Sequence, residues 1–345
     1  MGSDPDFKTI LVTGGLGYIG SHTCVALAAA GNRLAIVDNL CNSKLAVLER
    51  IRELAPGARI EFHRADLRER AALDAAFAAQ PVDAVIHFAG LKAVGESVEK
   101  PLLYYDNNVG GSVALFEAMA RHGVKRLVFS SSATVYGEPE RLPLAEDHPL
   151  RPASPYGKTK LVIEHLLADA AAADSGFTYA ALRYFNPIGA HPSGRIGEDP
   201  RGVPNNLFPY LTQVAAGRLQ KLRVFGADYP TADGSGVRDY IHVSDLAAGH
   251  LAALAYLEKK KRSITVNLGT GRGYSVLEAV RAFEKATGRK VPLEIVARRP
   301  GDIAACYADA SLAARALGWR AKLGLVDMCR DAWRWQAANP DGYPG

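Results

Sequence analysis

The stretch Lys8-Thr9-Ile10-Leu11-Val12-Thr13-Gly14-Gly15-Leu16-Gly17-Tyr18-Ile19-Gly20 decides the fold. Its first half is a short apolar run rich in β-branched residues, which predicts a buried strand. Its second half has GxxGxxG spacing, and the Ala/Leu-rich residues 21–30 after it predict a helix. Glycines at a strand-to-helix turn let the backbone approach a pyrophosphate at the helix N-terminus. The stretch therefore predicts a dinucleotide-binding turn, with contacts from Gly14, Gly17, Tyr18, Ile19 and Gly20.

The rest of the first half repeats this alternation of strand and helix. Further strands are predicted at residues 33–38, 59–65, 84–89, 126–131 and 179–184, and a helix at 71–79. Apolar strands separated by helices indicate an α/β fold, a Rossmann-type doubly wound parallel sheet. Beyond Ala190, Gly, Pro and Asn cluster at 191–206 and 225–236, which favours loops; helical pattern returns at 243–257 and 276–286.

These patterns divide the chain into two predicted domains. Residues 8–186 form the nucleotide-binding domain, with 237–265 returning to it, and residues 187–345 form a smaller, loop-rich α/β domain for the substrate. Residues 1–7 resemble the remnant of an expression tag.

Composition excludes several classes of protein. With 345 residues and 48% hydrophobic residues, the chain is neither disordered nor dependent on disulfides. No apolar run is long enough for a membrane span, and the four cysteines lie too far apart for a zinc motif, so no metal is expected. The net charge is only +5, and the basic run at 259–262 lacks the interleaved aromatic residues of a nucleic-acid site. No leader peptide is evident, which favours the cytoplasm.

Two acidic residues refine the nucleotide prediction. Asp38 ends the second predicted strand, where a carboxylate accepts hydrogen bonds from ribose hydroxyls and repels a 2′-phosphate. NAD is therefore favoured over NADP. Asp66, after the third predicted strand, suits either the adenine edge or a helix N-cap, and both interpretations stay open.

A second motif carries the chemistry. Tyr156-Gly157-Lys158-Thr159-Lys160 has YxxxK spacing, which places Tyr156 and Lys160 on one face of a helix. A phenol ionises near pH 10, and a neighbouring ammonium lowers its pKa. Ser130-Ser131-Ser132 ends the fifth predicted strand, at the sheet edge where ligands bind. Alone, YxxxK is equally typical of a surface helix.

Together these motifs resemble the extended short-chain dehydrogenase/reductase superfamily, whose pattern makes Ser132, Tyr156 and Lys160 the catalytic residues. Longer strings at 88–97, 104–108, 130–137, 182–186, 197–206 and 236–243 resemble the UDP-galactose 4-epimerase family. This resemblance covers nearly the whole chain.

The resemblance implies a set of binding residues. Beyond the glycine turn and the two acids, the implied cofactor contacts are Asn39, Leu67, Phe88, Ala89, Gly90, Lys92, Asn107, Ser130, Tyr156, Lys160 and Phe185. The implied substrate contacts are Lys92, Ser132, Tyr156, Asn186, Asn206, Leu207, Phe225, Arg238, Tyr240, Val276, Arg299, Asp302 and Cys306. A fork of N–H donors suits a diphosphate, in agreement with the arginines. Without the resemblance, Arg238 would be assigned a surface ion pair with Asp239, and Asn206 a turn.

The activity that the resemblance implies is reversible inversion at C4 of UDP-galactose and UDP-glucose, through a 4-keto sugar and transient reduction of bound NAD. Cys306 falls where some members carry tyrosine and others a small residue, which predicts room for N-acetylated sugars. A homodimer is implied, through a helical bundle that includes the Tyr156 helix.

Two other functions stay open. Dehydratases and decarboxylases of the same superfamily share NAD and the catalytic residues, but the dehydratases resemble Thr-Asp-Glu where this chain has Ser132-Ala133-Thr134. An inactive NAD-sensing protein could discard the phenol, yet Ser132, Tyr156 and Lys160 are all present.

Overall fold

The computed structural model describes residues 8–299 and 301–344, so the predicted tag remnant at 1–7 lies outside the described residues. The strands are β1 (Thr9–Thr13), β2 (Arg33–Asp38), β3 (Ile60–Arg64), β4 (Ala84–His87), β5 (Arg126–Ser132), β6 (Thr178–Tyr184), β7 (Asn186–Ile188), β8 (Leu222–Phe225), β9 (Val237–His242), β10 (Ile264–Leu268), β11 (Gly273–Ser275), β12 (Leu293–Val296) and β13 (Ala305–Cys306). The helices are α1 (Tyr18–Ala29), α2 (Ala46–Leu54), α3 (Arg70–Ala78), α4 (Val94–Glu99), α5 (Pro101–Tyr104), α6 (Gly111–Arg121), α7 (Pro155–Ala173), α8 (Leu207–Ala215), α9 (Val243–Lys260), α10 (Val276–Thr287), α11 (Ser311–Leu317) and α12 (Leu325–Ala338). A π-helix at Tyr105–Gly110 and a 3₁₀ turn at Ala133–Val135 complete them.

The chain forms two compact units. The first contains residues 8–137, 150–183 and 247–266, and the second contains 138–149, 184–246 and the described residues from 267 onward. Three separate stretches of chain thus build the first unit.

A seven-stranded sheet, nearly all of it in the first unit, has the strand order β10-β6-β5-β4-β1-β2-β3. β1 pairs in parallel with β2 and β4, β2 with β3, and β4 with β5. Because the order reverses at β1, this is the doubly wound Rossmann-type arrangement, and the predicted fold class is confirmed.

The buried core of this unit explains why its strands are apolar. Leu11, Val85, Leu127 and Phe129 are fully buried and pack with apolar side chains of α3, α6 and α7. Both faces of such strands are covered, which is why they read as continuous apolar runs.

The second unit contains smaller sheets. β9 lies between β11 and β13 and also pairs in parallel with β7, while β12 pairs with β8. Its core joins α8, α10 and α12 through residues such as Phe208, Phe283 and Met328. Within residues 8–299 and 301–344, no helix combines the length and apolar character that a membrane span requires.

Candidate active site

The turn after β1 is built from glycines that other residues could not replace without a clash. Gly14 has a φ of +67°, and a Cβ there would lie 2.7 Å from the backbone nitrogen of Ala89. A Cβ at Gly20 would lie 2.2 Å from the carbonyl oxygen of Gly14. Helix α1 begins at Tyr18, with Gly17 as N-cap and no side-chain cap. The positive N-terminus of α1 is thus available to an anion. The turn from Gly14 to Gly20 forms a glycine cradle that fits the pyrophosphate of NAD.

Asp38 closes this turn from the end of β2. One carboxylate oxygen accepts the N–H of Leu16 at 3.1 Å, and the other accepts from the N–H of Leu40 at 2.9 Å and the hydroxyl of Ser43 at 2.7 Å. A carboxylate has about four acceptor positions. Asp38 therefore keeps capacity for a ribose hydroxyl, which leaves its cofactor role a prediction with a suitable geometry.

Asp66 corrects one interpretation of the sequence. It lies beyond β3, which ends at Arg64, and it does not cap α3, whose N-cap is Glu69. Its carboxylate instead accepts from Arg68 Nε at 2.8 Å and from Asn39 Nδ2 at 2.9 Å. The Arg68 hydrogen bond is the largest cause that holds the pKa of Asp66 far below its usual range. Two predicted cofactor residues, Asn39 and Asp66, are thereby joined.

The loop after β4 is tied to the π-helix by one amide. Asn108 accepts the N–H of Leu91 at 2.8 Å, donates to the Leu91 carbonyl at 3.0 Å, and donates to Thr159 Oγ1 at 3.2 Å. The predicted cofactor residue Asn107 donates to Asn108 at 2.9 Å. Short π-helical segments inside helices are frequent at functional sites. Asn108 thus links the loop of predicted cofactor residues to α7.

The other predicted cofactor residues of the first unit fall around these features. Phe88 contacts the His250 ring at 4.7 Å, Leu67 is buried in the core, and Tyr18 and Ile19 are half-buried at the start of α1. Strand β4 ends at His87 rather than at the predicted residue 89, and the N–H groups of Phe88 and Ala89 both donate to the Thr13 carbonyl, at 3.0 and 3.2 Å.

The predicted catalytic residues come together at the carboxyl end of β5. Lys160 Nζ donates to the carbonyl of Ser130 at 2.7 Å and lies 5.9 Å from the centre of the Tyr156 ring. The Ser132 hydroxyl accepts the N–H of Thr134 at 3.2 Å, and its influence lowers the pKa of the Tyr156 phenol against the effect of burial. The YxxxK helix and the serine-terminated strand that the sequence predicts are therefore confirmed as elements.

Two local features hold α7 against this edge. Ser154 caps the helix by accepting the N–H of Gly157 at 3.1 Å, and Pro155 occupies its first turn. A Cβ at Gly157 would lie 2.9 Å from the carbonyl oxygen of Thr134. Glycine at this position lets the helix approach the turn that follows Ser132.

The pKa of Tyr156 differs from the expectation based on the sequence. Lys160 was expected to lower the pKa of Tyr156, but burial raises that pKa above 10.0 in the protein alone, and only the Ser132 hydrogen bond opposes the shift. Burial also lowers the pKa of Lys160 to about 8, an effect that the Glu164 carboxylate opposes. The Tyr156 proton is therefore held more tightly than in a free phenol until further positive charge is present.

Strand β9 organises the predicted substrate residues of the second unit. Tyr240 pairs with Asn186 of β7, and Arg238 pairs with Cys306 of β13. Arg238 forms an ion pair with Asp302. The alternative assignment of Arg238, a surface ion pair with Asp239, is therefore wrong.

Asp239 is instead fully buried. It accepts N–H groups from Thr270, Gly271 and Ala308 at 2.8 to 3.1 Å. Successive residues of a strand face opposite sides, which separates Asp239 from its neighbour Arg238.

The remaining predicted substrate residues lie on nearby segments of this unit. The Arg299 guanidinium is 3.8 Å from the centre of the Phe225 ring. Asn206 is the N-cap residue of α8, which begins at Leu207, and donates to Glu198 at 3.0 Å, so it is more than a plain turn residue. Val276 donates its N–H to the carbonyl of Gly236 at 3.0 Å. Phe185, which is a predicted cofactor residue and lies in the same unit, is buried and donates its N–H to the carbonyl of Leu268 at 3.2 Å.

Sequence reasoning missed a buried ion pair near the catalytic residues. Glu164 and Arg183 are paired at 2.7 Å in the first unit. Of the two residues, only Glu164 could have been noticed in the sequence, because it follows Lys160 by one helical turn. Within the described residues, no group of three or more His, Cys, Asp or Glu side chains could hold a metal ion.

The Rossmann-type sheet, the glycine cradle and the Ser–Tyr–Lys arrangement define a dinucleotide-binding protein of the extended short-chain dehydrogenase/reductase class. Comparison with known proteins narrows this class. The chain belongs to the NAD dependent epimerase/dehydratase family, whose model matches residues 10–269, and its relatives place it among the UDP-glucose 4-epimerases.

The relatives are similar over almost their whole length. The UDP-glucose 4-epimerase of Bacillus subtilis (strain 168) is 59% identical over 334 residues, 97% of this chain and 98% of that protein. The mouse (Mus musculus) UDP-glucose 4-epimerase is 57% identical over 343 residues, 97% of this chain and 99% of that protein.

Solved structures agree. The UDP-glucose-4-epimerase of Stenotrophomonas maltophila, with bound NAD and formylated UDP-arabinopyranose, has a TM-score of 0.94 at 56% identity and covers 96% of this chain and 99% of its own. The Bifidobacterium longum UDP-glucose 4-epimerase, in complex with NAD+ and UDP, has a TM-score of 0.94 at 50% identity and covers 97% of this chain and 100% of its own.

Proposed function

We propose that the protein is an NAD-dependent isomerase that interconverts UDP-galactose and UDP-glucose by inverting C4 of the sugar. The observation that carries this function is the meeting of Ser132, Tyr156 and Lys160 at the carboxyl end of β5. They lie in a chain that is 59% identical to a UDP-glucose 4-epimerase. The cofactor that the glycine turn would hold, NAD, would supply reversible hydride transfer at C4 of the sugar.

The side chains perform the proton transfers. Tyr156 removes the proton of the 4-hydroxyl group as the carbon is oxidised, and it returns the proton after the sugar has turned. Ser132 donates a hydrogen bond to the reacting oxygen, which stabilises the charge that develops there. Lys160 Nζ lies 5.9 Å from the centre of the Tyr156 ring, and its ammonium, together with the positive charge of a bound nicotinamide ring, would favour the phenolate that burial disfavours.

The 4-keto sugar has to turn and present its opposite face. The protein must therefore bind the sugar loosely while it holds the nucleotide firmly. The residues assigned to the nucleotide offer suitable chemistry. Arg238 supplies a cationic fork for the diphosphate, and Phe225 supplies an aromatic face. Remote binding energy of this kind lowers the barrier without gripping the reacting ring.

We extend the substrate range to UDP-N-acetylglucosamine and UDP-N-acetylgalactosamine. Cys306 is a small residue in register with Arg238. Burial raises the pKa of its thiol to about 12, so the side chain is a neutral, compact group at physiological pH. A larger residue at this position would take the volume that an N-acetyl group needs.

We further propose that the protein is a homodimer in the cytoplasm. Val94, Val98, Leu102 and Leu103 are exposed apolar residues on α4 and α5, which both pack against α7. An apolar patch of this kind on a protein surface marks an interaction site. A second copy packed there would complete a bundle with the Tyr156 helix. Cell fractionation would test the location.

Proton NMR of the anomeric region tests the function. The purified protein, without added NAD, is mixed with UDP-galactose and UDP-N-acetylgalactosamine. We expect both gluco products, because a cofactor that ends each cycle unchanged can stay bound. A dehydratase would instead release water and give a deoxy-keto sugar, and no conversion even with NAD supplied would refute the proposal. The absence of an acidic residue directly after Ser132 argues against elimination of water.

A further inference from the structure

A buried ion pair lies beneath the catalytic residues of the first unit. Glu164 on α7 and Arg183 on β6 are 7% and 5% exposed. Arg183 Nη2 donates to one carboxylate oxygen at 2.7 Å, and Arg183 Nε donates to the other at 3.1 Å. This two-pronged geometry is the strong form of an arginine–carboxylate contact.

The pair contacts the chain on both sides of Ser132. The hydroxyl of Ser131 donates to Glu164 Oε1 at 2.5 Å, and Arg183 Nη1 donates to the hydroxyl of Tyr136 at 3.0 Å. Ser131 and Tyr136 are both buried. Ser132 is therefore held between two anchored neighbours, one before it in β5 and one after the 3₁₀ turn.

Glu164 also lies on the same face of α7 as the catalytic lysine. It follows Lys160 by one turn of α7, and its charge acts against the burial of the ammonium. The other groups around Lys160 are Tyr156 on α7, the Ser130 carbonyl and Phe129 ring on β5, and His87 on β4. Burial lowers the pKa of His87 to about 3, so this imidazole is neutral. Glu164 is the carboxylate that opposes the desolvation of Lys160.

Stability alone does not account for such a pair. The desolvation of two charges offsets most of their attraction, and apolar residues of similar volume are often as stable. A buried pair that touches both flanks of a catalytic serine has a clearer use in fixing geometry.

We propose that Glu164, held by Arg183, is a positioning residue for the reaction: it fixes Ser132 through Ser131 and Tyr136, and its carboxylate acts on Lys160 one helical turn away on α7. This inference rests on the proposed function, because it assigns Glu164 a role through Ser132 and Lys160.

The two parts of the role have separate signatures. Loss of the Glu164 charge removes the influence that raises the pKa of Lys160, so the lysine becomes neutral at a lower pH and the alkaline limb of kcat moves down. Loss of the Ser131 hydroxyl removes the anchor of β5 and leaves the charge in place, so kcat falls without movement of that limb.

The experiment compares variants by kcat, KM and pH profile for UDP-galactose. In Glu164→Gln with Arg183→Met, both buried charges are removed together, which avoids an unpaired buried charge. We expect kcat at pH 8 to fall about ten- to a hundredfold, with KM within about threefold and the alkaline limb at lower pH. Ser131→Ala should lower kcat and keep the limb. Asp169→Asn, which neutralises an exposed carboxylate on α7, is the matched control and should behave as wild type.

The inference is overturned if the double variant retains its NAD and its circular dichroism spectrum and shows an unmoved alkaline limb. It is also overturned if Ser131→Ala keeps full kcat, a test that remains decisive should the double variant fail to fold. Failure of the proposed function looks different, because the wild-type protein itself would then form no epimer.

Discussion

Cys306 lies directly beside Arg238 in the parallel pairing of β13 with β9, and the residue is only 8% exposed. A thiol is much smaller than the phenol ring of a tyrosine, so a tyrosine at this position would need volume that the cysteine does not take. The size of residue 306 is therefore expected to decide which sugars the second unit accepts.

Cys306→Tyr should lower the conversion of UDP-N-acetylgalactosamine by about ten- to two-hundredfold, because steric exclusion in a pocket is worth a few kcal/mol. Conversion of UDP-galactose should change by less than about threefold. Anomeric proton NMR measures both rates in one sample. Cys306→Ala keeps the position small and is the matched control; equal losses on both sugars in Cys306→Tyr would contradict the assignment.

Tyr156→Phe removes the group that transfers the 4-hydroxyl proton. We expect kcat to fall by about a hundred- to ten-thousandfold, the range for loss of a general base. The variant should still copurify with NAD, since the glycine cradle is untouched, and absorbance of released cofactor measures this. Turnover near that of wild type would exclude Tyr156 from the proton transfer.

Gly20→Ala tests the cradle. The added Cβ would lie 2.2 Å from the Gly14 carbonyl and 2.9 Å from Gly15 Cα, so the turn has to move. We expect loss of copurified NAD and a free energy of unfolding lower by about 1 to 3 kcal/mol. Gly95→Ala on α4 is the control, since a Cβ there meets nothing within 4 Å. That change should retain NAD and leave the Tm unchanged or higher. An NAD content in Gly20→Ala equal to that of wild type would contradict the prediction.

Leu102→Asp tests the proposed dimer, because Leu102 is 83% exposed on α5. We expect the molar mass from light scattering to fall to that of one 36.9 kDa chain. Val326→Asp places the same charge at another exposed apolar site, 57% exposed on α12, and should remain dimeric. A wild-type protein that scatters as a single chain would refute the dimer.

Local sequence pattern was sufficient to predict the elements that form the first unit. The apolar run before Gly14 and the serine run that ends β5 lie where the sequence predicts them, because burial on both faces leaves continuous apolar runs. The short strands β7 and β13 carry too few residues for any periodicity, and their formation depends on pairing with β9.

Contacts between residues that lie far apart in the sequence could not be predicted from local sequence pattern. The pairing of Glu164 with Arg183 joins a helix to a strand, and no local rule connects the two positions. The pKa of Tyr156 is another example, because its direction depends on burial that only the folded chain reveals.

The assembly of the first unit from three stretches of chain has a consequence for biosynthesis. Its sheet includes β10, which ends at Leu268, while β1 begins at Thr9. A nascent chain on the ribosome therefore cannot complete this sheet until most of the polypeptide has been translated. Strand β6, which pairs with β10, meanwhile has an unpaired edge, which makes the half-made chain prone to aggregation and a candidate for chaperone binding.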